Sequence, residues 1–161
     1  MKHIKVLFVC MGNICRSPTA QGVFRAMVER EGLSERILTD SAGTIDYHIG
    51  GLPDRRARET ALKRGVDLSD LRARLVTVSD FEAFDYVVAM DHSNFQDLSA
   101  LCPPGLEDRL HMFLDFAPEQ PVREVPDPYY GGTAGFERVF DLVEEASRGL
   151  LTRIKVDRSL S

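Results

Sequence analysis

The chain has 161 residues, 43% of them hydrophobic and 28% charged, a balance that suits one ordinary globular domain over residues 1–161. It excludes intrinsic disorder and two enzyme domains in series, and a formal net charge of −5 disfavours a nucleic-acid partner or an anionic membrane surface. Three cysteines, an odd count without disulfide-scaffold spacing, and no visible spanning or targeting segment lead to the expectation of a cytoplasmic protein without membrane insertion.

In chain order, Ile4-Lys5-Val6-Leu7-Phe8-Val9 reads as a short buried strand, rich in β-branched and aromatic residues. It runs into Cys10-Met11-Gly12-Asn13-Ile14-Cys15-Arg16, a loop in which Gly and Asn tolerate positive φ. Ser17-Pro18-Thr19 predicts a helix start with Ser17 as N-cap, and Ala20, Val23, Phe24, Met27 and Val28 supply its apolar face as far as Gly32. A second strand is expected at Ile37 to Ser41, and a charged amphipathic helix at Asp54 to Gly65. A third strand is expected around Tyr86 to Ala89, a helix at His92 to Leu101, and a short fourth strand at Leu110 to Leu114. Pro118 to Pro128 reads as a long loop, and long ordered loops in compact domains tend to be functional. After Gly131-Gly132, Phe136, Val139, Phe140, Val143, Ala146, Leu150 and Ile154 mark a last helix. Such alternation predicts an α/β fold: a four-stranded, mainly parallel open sheet with helices on both faces.

The chemistry concentrates between Val6 and Thr19. A loop that leaves a parallel strand and enters a helix offers backbone N–H groups and the positive helix end to an anion. Arg16 adds a planar fork that can grip two phosphate oxygens. The same field favours the thiolate of Cys10, so a nucleophile and an oxyanion cradle fall within seven residues. Taken alone, Cys10 reads as a small buried hydrophobe, Arg16 as a surface ion-pair residue and Asp127 as a turn residue before Pro. The loop is not a nucleotide-binding one, since it has no G-x4-G-K-[ST] pattern and no G-x-G-x-x-G. His3, His48, His92 and His111 are scattered without metal-ligand spacing, so no metal or other cofactor is expected.

Val9-Cys10-Met11-Gly12-Asn13-Ile14-Cys15-Arg16-Ser17-Pro18 resembles the signature of the low-molecular-weight protein tyrosine phosphatases. The similarity continues in order through Asp40-Ser41-Ala42-Gly43-Thr44, Asp80-Phe81, Phe84-Asp85-Tyr86, Met90-Asp91 and Asp127-Pro128-Tyr129-Tyr130-Gly131. The resemblance implies hydrolysis of protein phosphotyrosine, with Cys10 attacking phosphorus to form a phosphocysteine. It also implies that the Arg16 side chain and the backbone N–H groups of Met11, Gly12, Asn13, Ile14, Cys15 and Arg16 hold the phosphate. Ser17 would hydrogen-bond the sulfur, and Asp127 would act as general acid and then base. Asn13 and Ser41 would support the loop, while Tyr47, Tyr129 and Tyr130 would wall the substrate cleft. Ile14 is apolar, as in tyrosine phosphatases, where related arginine phosphatases carry Thr.

One position departs from the pattern. Leu71 stands where the family usually has a His that hydrogen-bonds the loop Asn, which implies a support one partner short and a modest loss of rigidity or rate. Cys15 reads either as a buried loop residue or as a redox partner that traps oxidised Cys10 as a disulfide. Cys102 reads as structural. The partner implied is a phosphotyrosine-containing protein or peptide, with a bacterial tyrosine autokinase as one candidate, and a monomer is assumed. An arsenate reductase of the same fold would need further cysteines, and none lies between Met90 and Leu98. A silent phosphate-binding module is the other rival, although Cys10, Arg16, Ser17 and Asp127 are all present.

Overall fold

A computed structural model describes residues 3–160. Four strands, β1 (Ile4–Cys10), β2 (Ile37–Gly43), β3 (Tyr86–Ala89) and β4 (Leu110–Met112), form one sheet in the order β2-β1-β3-β4. Every pairing is parallel, so the expected mainly parallel sheet is parallel throughout. The helices are α1 (Arg16–Arg30), α2 (Arg55–Lys63), α3 (Asp80–Ala83), α4 (His92–Leu101) and α5 (Thr133–Asp157). Among the described residues no helix is long and apolar enough to cross a membrane.

The period of two along β1 divides the core. Val6 and Phe8 turn to one face, where α1 and α5 cover them with Phe24, Val139 and Phe140, while Leu7 and Val9 turn to the other, with Leu98 of α4 and Phe81 of α3. Phe8 meets Phe24 and Phe113 edge to face, with centroids 5.6 and 5.3 Å away. Burying such a ring contributes about 1.5–3 kcal/mol, which fixes the strand whose end carries the loop.

Strand order reverses at β1, since the chain passes from β1 to β2 on one side and then crosses to β3 on the other. A crevice opens beyond the carboxyl ends of the strands at such a switch point, and the Cys10–Arg16 loop lies there.

Four boundaries differ from expectation. Ser17 does not cap α1: the cap position is Cys15, without a side-chain cap bond, because the Ser17 hydroxyl is turned to the Cys10 sulfur and the Asn13 amide. The first helix stops at Arg30, and β2 runs two residues beyond Ser41 to Gly43 because it pairs with the whole of β1. The fourth strand ends at Met112, where Phe113–Phe116 coils into a 3-10 turn that packs Phe113 and Leu114 inward. The short α3 carried no pattern long enough to predict.

Candidate active site

Cys10 ends β1 with only 2% of its surface exposed, opposite Gly43 in the β1–β2 register. The loop curls over its sulfur, so that the Asn13 N–H points at Sγ from 3.3 Å and the Ser17 Oγ lies 3.0 Å away. The curl places Asn13 at φ +57°, in the left-handed region that Asn tolerates better than most residues. Its side chain is used on every side. Nδ2 donates to Ser17 Oγ (2.8 Å) and Ser41 Oγ (3.0 Å), and Oδ1 accepts from the Arg74 N–H (3.0 Å). Leu71 is buried in the apolar core, and the Asn13 amide oxygen takes its proton from the Arg74 backbone rather than from an imidazole.

Gly43 makes this closeness possible. A Cβ there would stand 2.7 Å from the Met11 carbonyl oxygen and 3.2 Å from the Asn13 backbone nitrogen. Thr44 and Ile45 N–H groups then tie the loop down by donating to the carbonyls of Cys10 (3.0 Å) and Met11 (3.1 Å).

Arg16 is 3% exposed and opens α1. One terminal nitrogen donates to Asp91 Oδ2 (2.6 Å) and to the Val125 carbonyl (3.1 Å), and the other lies 3.7 Å from Asp127 Oδ2. Burial disfavours its charge, but Cys10 and Asp91 outweigh that and push its pKa above the ordinary arginine value. Its Nε is buried without a hydrogen-bond partner. A buried N–H of a charged group is costly to leave unmet, so this edge of the fork fits an anion's oxygen. Asp91 doubles as the cap of α4, with Oδ1 accepting from the Asn94 N–H at 2.7 Å.

Asp127 is 35% exposed at the rim, held by the Tyr129 N–H, which donates to Oδ1 at 3.0 Å. Arg56 pins the segment that follows by donating to the carbonyls of Tyr129 (2.9 Å) and Gly131 (3.3 Å). Its guanidinium lies over the Phe136 and Tyr129 rings, 4.7 and 5.5 Å from their centroids. Asp54, the cap of α2, anchors Arg56 in turn. Burial opposes ionisation of Asp54, but the Arg56 hydrogen bond and charge hold its pKa below the usual carboxylate value.

These groups surround a cavity of about 290 Å³. Of the residues expected at the site, Cys10, Met11, Gly12, Ile14, Cys15, Arg16, Tyr47, Asp127, Tyr129 and Tyr130 line it, while Asn13, Ser17 and Ser41 lie beneath the loop. Tyr47 and Tyr130 are 82% and 90% exposed, so they form a mouth rather than buried walls. Ile45 and His48 complete the lining and escaped the sequence reading, having no spacing to mark them. Burial, with Asp54 and Cys10 nearby, pushes the Cys15 thiol well above its ordinary pKa and keeps it protonated. Among the described residues no three His, Cys, Asp or Glu side chains gather where they could hold a metal ion.

Fold and site together define a cysteine-dependent hydrolase. The chain belongs to the low molecular weight phosphotyrosine protein phosphatase family, whose model matches residues 5–160. It is 43% identical over 154 residues to the low molecular weight phosphotyrosine protein phosphatase of Schizosaccharomyces pombe, covering 95% of this chain and 98% of that one. The low molecular weight protein-tyrosine-phosphatase YfkJ of Bacillus subtilis is 38% identical over 159 residues, 98% of this chain and 99% of its own. The crystal structure of an Entamoeba histolytica protein tyrosine phosphatase, with Hepes in its active site, superposes with a TM-score of 0.91 at 42% identity over 97% of this chain and 98% of that one.

Proposed function

We propose that residues 1–161 act as one catalytic domain that hydrolyses phosphotyrosine in proteins through a phosphocysteine at Cys10. The observation that carries this reading is one pocket lined by Cys10, its loop, the buried guanidinium-bearing Arg16 and Asp127. In the first half-reaction the Cys10 thiolate forms a bond to phosphorus while the bond to the phenolic oxygen breaks, and Asp127 gives that oxygen its proton. Arg16 and the N–H groups of the Met11–Cys15 loop balance the charge on the equatorial oxygens. In the second half-reaction water attacks phosphorus, Asp127 takes its proton, and the thiolate leaves with Ser17 donating to the sulfur. Asn13 and Ser41 keep the loop in its curled form, and Tyr47, Tyr129 and Tyr130 flank the phenyl ring.

Depth supports phosphotyrosine over phosphoserine, whose shorter side chain would leave phosphorus short of the sulfur at the cavity floor. Hydrolysis of p-nitrophenyl phosphate without added metal or thiol, abolished in Cys10→Ser, is the expected result. Equal activity in Cys10→Ser would overturn the mechanism, and an unchanged phenyl phosphate rate in Asp127→Asn would remove the general acid. The protein partner is proposed to be a phosphotyrosine-bearing segment. A bacterial tyrosine autokinase is one candidate, tested by whether Asp127→Asn retains it. A reduced nucleophile assigns the activity to a reducing compartment such as the cytoplasm.

Cys15 is the proposed redox partner of Cys10. Peroxide would convert Cys10 to the sulfenic acid, and attack by the Cys15 sulfur would form the disulfide with loss of water. Peptide mapping after peroxide treatment checks this, and a sulfinic acid at Cys10 in place of the disulfide would leave Cys15 a packing residue.

A further inference from the structure

Ser17 and Gln21 stand four residues apart on α1 and so share one face of the helix. Gln21 is buried there, with both ends of its amide engaged. The Ser41 hydroxyl donates to Gln21 Oε1 at 2.8 Å, and Gln21 Nε2 donates to the Thr39 carbonyl at 3.3 Å. Each amide in this group has only one workable orientation. Turning Gln21 over would set its oxygen against the Thr39 oxygen, and turning Asn13 over would set its NH2 against the Arg74 N–H.

With both amides so fixed, the direction of every hydrogen bond beneath Cys10 follows. Both Asn13 Nδ2 hydrogens are donated, so Ser17 Oγ and Ser41 Oγ each accept one and must send their own proton elsewhere. Ser41 sends its proton to Gln21. Ser17 has only the Cys10 sulfur, 3.0 Å away, to receive its proton. We propose that Gln21 is a positioning residue: it accepts the Ser41 proton, which turns the Ser41 oxygen to accept from Asn13, and so, together with the Arg74 N–H, holds Asn13 in the orientation that commits the Ser17 hydroxyl to donate to the Cys10 sulfur. A donor held on the sulfur favours the thiolate over the thiol. Since Gln21, Ser41, Asn13 and Ser17 do not titrate, and Leu71 offers no imidazole, this support keeps one direction across the working pH range.

The inference rests on the reading of Cys10 as nucleophile, but its test also has a readout without turnover. Gln21→Met keeps the length of the side chain and removes the acceptor. The expected result is a fall of about tenfold in kcat for p-nitrophenyl phosphate, the size expected from one buried hydrogen-bond partner, with KM changed by less than about twofold. Alkylation of Cys10 by iodoacetamide, followed by peptide mass, should slow several-fold at about pH 7. Gln21→Glu supplies a second test should the Met variant fail to fold. Its carboxylate still accepts the Ser41 proton and loses only the bond to the Thr39 carbonyl, so kcat at about pH 7 should stay within about threefold of the native value. Unchanged kcat and alkylation in Gln21→Met, or a fall of about tenfold or more in Gln21→Glu, would overturn the role. Loss of alkylation control with intact kcat would do the same, whereas activity surviving Cys10→Ser would count against the phosphatase reading itself.

Discussion

The two loops that meet at the cavity are built on opposite terms. The Cys10–Arg16 loop lies on buried polar partners, with Asn13 spanning to Ser17, Ser41 and Arg74 and Gly43 admitting its backbone. The Asp127–Gly132 segment lies in solvent, with Tyr130 almost wholly exposed, and is held at two carbonyls by the single side chain of Arg56. A group that must meet one phosphoryl oxyanion geometry gains from rigidity, because its donors then need no reorganisation when charge develops. An acid that must admit a protein segment and release the phenol gains from a support that can give way. The buried loop carries its cost in a left-handed Asn13, and the solvent-facing one carries it in exposed tyrosine rings.

Substitutions that swap these terms should test the contrast. Gly43→Ala drives a methyl into the Met11 carbonyl, where backbone has no room to yield, and should cost about a hundredfold in kcat, as misplacement of a reacting group by about 1 Å can. Normal kcat with an unshifted melting temperature would show that the rigid loop tolerates displacement. Arg56→Ala should free the acid segment and slow hydrolysis of phenyl phosphate about tenfold, part of the roughly 10²–10⁴ that a positioned acid supplies. The p-nitrophenyl ester needs less protonation and should slow less, so equal losses on both esters would mean that Arg56 acts on binding. Tyr130→Ala, at an exposed ring, should raise KM for a phosphotyrosyl peptide by no more than about threefold, with kcat unchanged.

A control away from both loops is the smallest effect. Burial, with Arg153 nearby, lowers the pKa of His111, which stacks on Tyr86. The unfolded chain therefore binds that proton first as pH falls. The native state loses stability below the ordinary His value of about 6.5 and keeps it above. The melting temperature should drop by a few degrees from about pH 7 to about pH 5 through this group, and His111→Gln should remove that part of the drop without touching either loop.

Much of the site was legible in the sequence, because its central residues lie close along the chain. Cys10, Asn13, Arg16 and Ser17 fall in one strand–loop–helix unit, where chain connectivity alone brings them to a strand end and a helix start. Asp127 and Ser41 were reached through family resemblance, since nothing local distinguishes a turn Asp or a strand Ser. Gln21 has a faint signal, a polar residue one helical turn from Ser17. Arg56 reads as one more charge on a solvated helix. How Asn13 is held opposite Leu71 was not legible, because the donor to its amide oxygen is a backbone N–H, that of Arg74, which sequence cannot display.

The sequence by itself determined the alternation of strands and helices, the parallel sheet, and a thiol and a guanidinium six residues apart at a loop. Those follow from periodicity and from short covalent separations. Only the tertiary structure decided that Gly43 must lack a side chain, that Asp91 and Val125 occupy one end of Arg16 while its Nε stays open, and that Arg56 holds the acid segment. It also decided which way each hydrogen bond beneath Cys10 runs. Such directions depend on groups far apart in the chain, each with a fixed number of protons to give, and these meet only when the sheet closes against α1.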